Sequence, residues 1–186
     1  GDSKIGVTIM SVAPKLDTGD MVKKKSIDLE EGLTSGEMTN VISKLGAELM
    51  VSIVNDINAD KPLKFTKQDE SITTYANKIS KSEARVIWKN VTSEVIIRKI
   101  KAFNPFPGVF CNFRGKIIKI WQAKKANKVS KSTPGKLYPD AEKNRLFITT
   151  ADGVIEIKEI QLEGKRKMTP KEFIITNNIK NEELLS

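Results

Sequence analysis

The chain has 186 residues, 39% of them hydrophobic and 30% charged, which is typical of globular protein with enough length for one sizeable core or two small ones. No charge-free apolar run approaches the roughly 20 residues of a membrane span, and no secretory signal opens the chain. We therefore expect a soluble, cytoplasmic protein without membrane contact. With no histidine and a single cysteine, Cys111, a soft-ligand metal site is close to excluded, as is acid/base chemistry that relies on histidine.

Positive charge is concentrated in the later part of the chain. Residues 1–70 hold 9 Lys and Arg against 12 Asp and Glu, whereas residues 71–186 hold 23 against 11. Such an asymmetry favours a polyanionic partner, and without a polybasic amphipathic helix nucleic acid is favoured over a membrane. The alternative is a solvated lysine-rich surface that has no such partner.

The first 60 residues predict two strands and one long helix. The strands are expected at 6–14 and 21–29, joined by a turn of sequence KLDTGD. Thr34 and Glu37 form a capping box ahead of apolar residues at helical spacing, so a helix of roughly six turns should follow. Two strands alone make a poor sheet for such a helix to lie on.

The remaining elements are expected in two groups. A linker from 61 to 90 contains a short helical turn with a second capping box at Ser80 and Glu83, and a helix from 92 to 103 stops before the prolines of FNPFPG. The apolar period then changes to two, and four strand candidates with a turn signal at 150–153 predict a small barrel. Thr169 and Pro170 predict the start of a short closing helix.

Four stretches of the chain together resemble one enzyme family. GVTIM…LDTGDM, QDE…TYANKISKSEARVIW, IRKIKAFNPFPG and KIIKIWQA, in this order and spacing, resemble the methionyl-tRNA formyltransferase family over nearly the whole chain. The resemblance implies transfer of a formyl group from 10-formyltetrahydrofolate to the amino group of methionine on initiator tRNA, in translation initiation. It also implies an enzyme without a metal, expected to be a monomer.

The same resemblance implies an α+β fold in three parts. Residues 1–60 would be the C-terminal end of a Rossmann-like catalytic domain, 61–90 a linker with a short helix, and 91–186 an OB-like tRNA-binding barrel. The family's Asn-x-His strand and Ser-Leu-Leu-Pro loop do not appear in the sequence. We therefore expect a piece of the enzyme that is inactive alone and whose partner is the missing N-terminal half.

Asp17 is the candidate catalytic residue, since it matches the family's catalytic aspartate, which works beside an asparagine and a histidine. Attack of an amine on a formyl carbon builds an oxyanion and a protonated nitrogen, which need a hydrogen-bond donor and a proton acceptor. A carboxylate alone offers no donor. Local chemistry by itself favours a turn-forming role for Asp17, and Asp20 is a rival for the carboxylate role. By the same resemblance, the folate pterin would be flanked by Pro14, Lys15 and Leu16.

Basic residues around FNPFPG are the candidates for contact with tRNA phosphates. Such contacts give salt-sensitive affinity with little reading of sequence. The candidates are Arg98, Lys99, Lys101, Arg114, Lys116, Lys119, Lys124, Lys125 and Lys128. Four aromatic residues nearby could stack on bases, although burial in the core is the favoured interpretation. They are Phe106, Phe110, Phe113 and Trp121.

Two other functions remain open at this point. A sugar-nucleotide formyltransferase of the same superfamily is disfavoured because its substrate needs no wide basic surface. A stand-alone nucleic-acid-binding module is disfavoured by the ordered match around Asp17.

Overall fold

The computed structural model describes residues 1–30, 32–127 and 132–186. These residues divide into two units, Gly1–Lys78 and Ile79–Ser186. The border between the units falls inside the stretch 61–90 that the sequence suggested as a linker.

The first unit begins with an antiparallel pair of strands, β1 (Lys4–Met10) and β2 (Met21–Asp28). Strand β1 ends four residues earlier than the sequence predicted. From Ser11 onward the chain leaves the pairing and forms a loop, whose base is closed where the backbone N–H of Ser11 donates to the carbonyl of Asp20 at 2.9 Å. The apolar residues after Met10 therefore belong to a loop and have no partner strand.

The long helix α1 spans Ser35–Asn58, as predicted. Its capping box is confirmed: the backbone N–H of Thr34 donates to Glu37 Oε2 at 2.8 Å, and that of Glu37 donates to Thr34 Oγ1 at 3.3 Å. One face of the helix packs on the strand pair and is buried through residues at spacings of seven and four, which are Met38, Leu45, Leu49 and Ile53. Other apolar residues of α1 remain exposed: Met50, Val51, Val54 and Ile57.

The segment after α1 is attached to the strand pair by a backbone bridge. The N–H of Met21 donates to the carbonyl of Thr66 at 2.8 Å, and the N–H of Thr66 returns a bond to Met21 at 2.9 Å. A short 3-10 helix at Glu70–Ile72 follows, with Asp69 as its cap. The sequence predicted an irregular linker in this region and gave no sign of the bridge.

Among the described residues of the second unit, seven strands form one curled antiparallel sheet. Their bounds are β3 Val109–Phe113, β4 Lys116–Ala126, β5 Lys136–Pro139, β6 Leu146–Thr149, β7 Val154–Leu162, β8 Lys167–Met168 and β9 Glu183–Leu184. Their order is β3-β4-β7-β6-β5-β9, and β8 pairs with β7. The four strands predicted from the sequence, which are β3, β4, β6 and β7, are confirmed, and β5, β8 and β9 were missed.

Helices α2 (Ser93–Ala102) and α3 (Pro170–Asn177) cover the sheet, as predicted. Ile96 and Ile100 of α2 and Phe173 of α3 are buried in the same apolar cluster as the inward residues of the strands. The second predicted capping box is also present, at the 3-10 helix Lys81–Ala84. Within the described ranges, no helix is both long and apolar enough to cross a membrane.

Cys111 lies in β3 and is fully buried. Burial raises the pKa of its thiol to about 12, because the thiolate would lose its hydration. A thiol that stays protonated and is closed to solvent is inert, so Cys111 acts as a small apolar core residue.

Candidate functional site

Asp17 lies near the tip of the loop 11–20, between β1 and β2, with its side chain exposed. Its backbone is left-handed, with φ of 56°, a conformation that aspartate tolerates better than most residues. The next hydroxyl, Thr18 Oγ1, donates to the carbonyl of Lys15 at 3.0 Å and so holds the turn together. Asp17 therefore forms a turn, and its side chain is open to solvent.

Gly19 allows the two ends of this loop to approach closely. A Cβ at this position would lie 1.7 Å from the carbonyl oxygen of Ser11, so a larger residue cannot occupy it without moving the backbone. Gly19 is the buried residue of the loop. The sequence marked it only as a turn signal.

Gln68 is a residue at this site that the sequence analysis missed. Its side-chain amide donates to the carbonyl of Asp17 at 3.0 Å and to that of Gly19 at 2.6 Å. It comes from the segment that follows α1, about fifty positions away in the chain, so no local pattern could link it to the loop. The QDE stretch of the family resemblance was the one signal that pointed to it.

The three residues expected beside the folate, Pro14, Lys15 and Leu16, are all exposed on the same loop. Leu16 is 93% exposed and Val12 is fully exposed. Neither side chain is buried by the folding of this unit, so the loop presents apolar surface to solvent. A flat aromatic ring fits such an apolar surface. Among the described residues, no group of three or more acidic or cysteine side chains is placed to hold a metal ion.

Asp20, the rival carboxylate, is exposed at the base of the loop, where its carbonyl accepts the bond from Ser11. The carboxylates of Asp17 and Asp20 thus leave the loop at different places, one near its tip and the other at the start of β2. They are separable by mutation.

In the second unit, several of the basic candidates are bound by neighbouring groups. Arg114 forms a bidentate pair with Glu183 at 2.6 and 2.7 Å and donates to the carbonyl of Asn177 at 2.8 Å. The Nζ atom of Lys99 donates to the carbonyl of Glu83 at 3.0 Å. These two residues connect elements of the barrel.

Other candidates are bound less completely. Arg98 pairs with Glu94 one turn earlier on α2, and Lys119 Nζ donates to the carbonyl of Pro107 at 2.9 Å. Three further lysines form no ion pair with another described residue: Lys101, Lys116 and Lys125. Of these, Lys116 and Lys125 are exposed and Lys101 is half-buried. Lys128, also expected to bind tRNA, lies outside the described residues.

A buried carboxylate binds basic residues of β4 and β7 and the arginine that precedes β6. Glu156 is only 2% exposed, and its oxygens lie 2.7 Å from Arg145, 2.5 Å from Lys158 and 3.7 Å from Lys124. The hydrogen bonds from Arg145, followed by those from Lys158, lower the pKa of Glu156 to about 2. Lys124 is therefore held in a cluster in which one carboxylate faces three cations.

Trp121 and the FNPFPG turn form a second organised region. The Nζ atom of Lys167 lies 4.2 Å from the centre of the Trp121 ring, and that of Lys119 lies 5.4 Å from it. The turn is fixed on β4 because Asn104 Nδ2 donates to the carbonyl of Trp121 at 3.1 Å. A shallow depression of about 200 Å³ lies beside this region, lined by Gln122, Lys158, Glu159, Arg166, Lys167, Met168, Thr169 and Glu172.

The aromatic candidates separate into buried and exposed residues. Phe113 and Trp121 are buried, 3% and 7% exposed, and Phe110 is half-buried. Phe106 is 68% exposed, although it lies in the turn fixed on β4. Phe106 is thus the aromatic candidate whose ring is open to a partner, while the core interpretation holds for Phe113 and Trp121.

Both units match known families of one enzyme class. Residues 1–54 match the formyl transferase family, and residues 78–178 match the formyl transferase C-terminal domain. The chain therefore belongs to the formyl transferase family, as the resemblance in its sequence indicated.

Particular relatives narrow the comparison. The methionyl-tRNA formyltransferase of Methylococcus capsulatus is 36% identical over 175 residues, which cover 94% of this chain and 55% of that protein. That of Clostridium acetobutylicum is 35% identical over 179 residues, 96% of this chain and 57% of that protein. The chain spans little more than half the length of these relatives.

Solved structures share the fold. HypX from Aquifex aeolicus has a TM-score of 0.72 and 18% identity, and the match covers 97% of this chain and 32% of HypX. The sugar 3N-formyl transferase WlaRD has a TM-score of 0.60 and 20% identity, and the match covers 89% of this chain and 57% of that protein. Methionyl-tRNA formyltransferase from Clostridium thermocellum has a TM-score of 0.51 and 16% identity, and the match covers 67% of this chain and 52% of that protein. These similarities confirm the predicted fold class.

Proposed function

We propose that this chain supplies the catalytic aspartate and the tRNA-binding barrel of a cytoplasmic methionyl-tRNA formyltransferase that acts in translation initiation. The reaction is transfer of a formyl group from 10-formyltetrahydrofolate to the amino group of methionine on initiator tRNA. The observation that carries the proposal is the identity of 35 to 36% to methionyl-tRNA formyltransferases over nearly the whole chain. The proposed domains remain 1–60, 61–90 and 91–186.

Asp17 is the residue of this chain to which we assign a catalytic role. An amine attacks as its neutral form and must lose a proton when the new C–N bond forms, and a nearby carboxylate can accept that proton. Asp17 can do so because its side chain is exposed and its turn is held by Thr18 and Gln68. The asparagine and histidine that the family resemblance adds would come from the part of the relatives that this chain does not span.

We assign the folate contact to Pro14, Lys15 and Leu16. The bound donor supplies the formyl carbon. The exposed apolar side chains of Pro14 and Leu16 fit the face of its ring system, and burial of Leu16 on binding would remove apolar surface from water. A solved HypX structure holds tetrahydrofolic acid, which supports a folate donor for this family fold.

Among the basic candidates, we assign the tRNA contact first to Lys101, Lys116 and Lys125, whose cations have no ion-pair partner among the described residues. A cation without an internal partner is available to a phosphate and releases counterions on binding. Lys119, Lys124 and Arg98 are available in part, since their charges are shared with neighbouring groups, and Arg114 and Lys99 serve the barrel. Phe106 adds an exposed ring on which a base can stack.

A choice of acceptor tests the proposal. The chain is combined with the N-terminal segment of a methionyl-tRNA formyltransferase relative that it does not span, and labelled 10-formyltetrahydrofolate is offered with methionyl-tRNA or with an amino sugar nucleotide. Formylation of methionyl-tRNA alone is the expected result. Formylation of the sugar nucleotide alone would overturn the proposal in favour of the enzyme class to which WlaRD belongs.

A further inference from the structure

One side-chain amide binds the loop that carries Asp17 at two points. Gln68 Nε2 donates to the carbonyl of Asp17 at 3.0 Å and to the carbonyl of Gly19 at 2.6 Å, so one nitrogen holds the peptide groups that follow Asp17 and Gly19. An amide group has two N–H donors, and this pair of bonds uses both. The same nitrogen lies 3.7 Å from Met10 Sδ, at the end of β1.

Gln68 is itself held in place by the backbone around it. Two residues earlier, Thr66 forms the reciprocal pair of hydrogen bonds with Met21, the first residue of β2. One residue later, Asp69 caps the 3-10 helix through bonds to Ser71. The side chain is half-buried, which limits its rotamers. Gln68 therefore connects the loop to a segment that is fixed on either side.

The loop needs such a connection because its other bonds are few. Its base is closed by Ser11 and Asp20, and within it Thr18 bonds to the carbonyl of Lys15. Asp17 sits between these contacts in the left-handed region, which costs a non-glycine residue conformational energy unless its surroundings hold it there. The bond from Gln68 to the carbonyl of Asp17 supplies a tertiary contact at that residue.

We propose that Gln68 is a positioning residue, which fixes the backbone of Asp17 and thereby orients its carboxylate for formyl transfer. This inference rests on the proposed function. It assigns a role to a position that lies between the two family matches, 1–54 and 78–178. The physical basis is that a catalytic group must be held within about 0.5 Å of its productive position by the groups around it.

The test replaces Gln68 by methionine, which has similar length and volume but no donor. The control is Lys67→Met, because Lys67 is an exposed neighbour on the same segment. Both are made in the chain combined with the N-terminal segment described above. We expect Gln68→Met to lower kcat about 10- to 100-fold, with KM for methionyl-tRNA changed less than about 2-fold, and Lys67→Met to leave both unchanged.

A double-mutant cycle separates positioning from a general effect on folding. If Gln68 acts through Asp17, Gln68→Met causes no further loss in an Asp17→Ala background, whereas independent effects would multiply. A multiplied loss, or an unchanged kcat in Gln68→Met alone, would overturn the proposal.

A readout that needs no catalysis distinguishes failure of this inference from failure of the proposed function. In NMR spectra of the 186-residue chain, Gln68→Met should shift the carbonyl resonances of Asp17 and Gly19 and lower the backbone order parameters of the loop, and Lys67→Met should not. An ordered, unshifted loop in Gln68→Met refutes the positioning role even if formyl transfer is never observed. A disordered loop in an enzyme whose transfer does not need Asp17 instead refutes the proposed function.

Discussion

The guanidinium group of Arg114 forms a bidentate ion pair with Glu183, with Nε at 2.7 Å from Oε2 and Nη2 at 2.6 Å from Oε1. Arg114 lies in the turn between β3 and β4, and Glu183 belongs to β9, the last strand of the sheet order. The same guanidinium donates to the carbonyl of Asn177 at the end of α3. The pair thus joins the first and last strands of the sheet to its closing helix.

Arg114→Ala should lower the free energy of unfolding of the barrel by about 1 to 2 kcal/mol, because it removes two hydrogen bonds from Glu183 and one from the carbonyl of Asn177. Glu183 keeps the bond from the backbone N–H of Lys180. Lys116→Ala, two positions away and exposed, should change it by less than about 0.5 kcal/mol. Tryptophan fluorescence in urea measures this unit alone, since Trp88 and Trp121 both lie in it. Equal effects of the two substitutions would show that the pair contributes nothing to stability.

Glu156 should make the stability of the barrel depend on pH in acid. Its pKa is about 2 in the folded chain, below the ordinary 4.5, so the unfolded chain takes up a proton first. The stabilisation is therefore complete above about pH 4.5 and is lost as the pH falls towards 2. Glu156→Gln should cost about 2 kcal/mol at pH 6, after allowance for solvent screening of the exposed cations, and almost nothing near pH 2.

Glu94→Gln is the control for this measurement, because Glu94 forms an exposed pair with Arg98 on a single helix. It should cost less than about 0.5 kcal/mol at either pH. A cost of Glu156→Gln that stays constant from pH 6 to pH 2 would contradict the assigned charge state.

Gly19→Ala should disrupt the loop 11–20, since the added Cβ would lie 1.7 Å from the carbonyl oxygen of Ser11. Gly46→Ala is the matched control. Gly46 lies within α1, and its added Cβ would make an ordinary van der Waals contact with Val7 of β1 at 3.6 Å. Replacing a helical glycine by alanine should raise the free energy of unfolding by up to about 1 kcal/mol. Amide NMR spectra should show large shifts around Asp17 for Gly19→Ala only. An unchanged loop in that variant would contradict the described approach of its two ends.

Binding of tRNA should depend on salt, and the lysines should differ in their contributions. Removing a cation that contacts a phosphate lowers the slope of log affinity against log salt concentration by about 1. We expect this for Lys125→Ala, whose side chain is exposed and unpaired among the described residues, and not for Lys99→Ala, whose Nζ binds the carbonyl of Glu83. Fluorescence anisotropy of labelled tRNA across a salt series measures both. Identical slopes would refute the idea that the lysines without an internal partner are the ones that contact phosphates.

The elements that the sequence predicted well are those specified by local chemistry. A capping box such as Thr34 with Glu37 depends on residues three positions apart. Helix α1 was predictable because its apolar residues recur at helical spacing over its whole length. The missed strands β8 and β9 have two residues each, too few for an alternating pattern to be visible. Strand β5 has four residues, as many as the predicted β6, but its sequence KLYP contains a lysine and a proline where β6 has the run LFIT. The three missed strands exist because neighbouring strands supply their hydrogen bonds.

In the candidate site, too, only the features specified by neighbouring residues in the chain could be predicted. Asp17 and its turn could be identified from adjacent residues and from the family resemblance, whereas the bonds from Gln68 span about fifty positions. Glu156 lies between two buried isoleucines, so alternation predicts an exposed side chain. It is buried because cations from neighbouring positions and strands cover it. Partners brought together by tertiary packing leave no periodic signal in the sequence.

The catalytic role of Asp17 is tested most directly by Asp17→Ala, with Asp20→Ala as the matched control on the same loop. The chain is combined with the N-terminal segment of a methionyl-tRNA formyltransferase relative, and the rate of formyl-methionyl-tRNA formation is measured at saturating donor. We expect activity in the mixture, none in the chain alone, a rate reduced at least about 100-fold by Asp17→Ala, and little change with Asp20→Ala. Activity of the chain alone, or an Asp17→Ala rate equal to that of the unmodified mixture, would contradict this role.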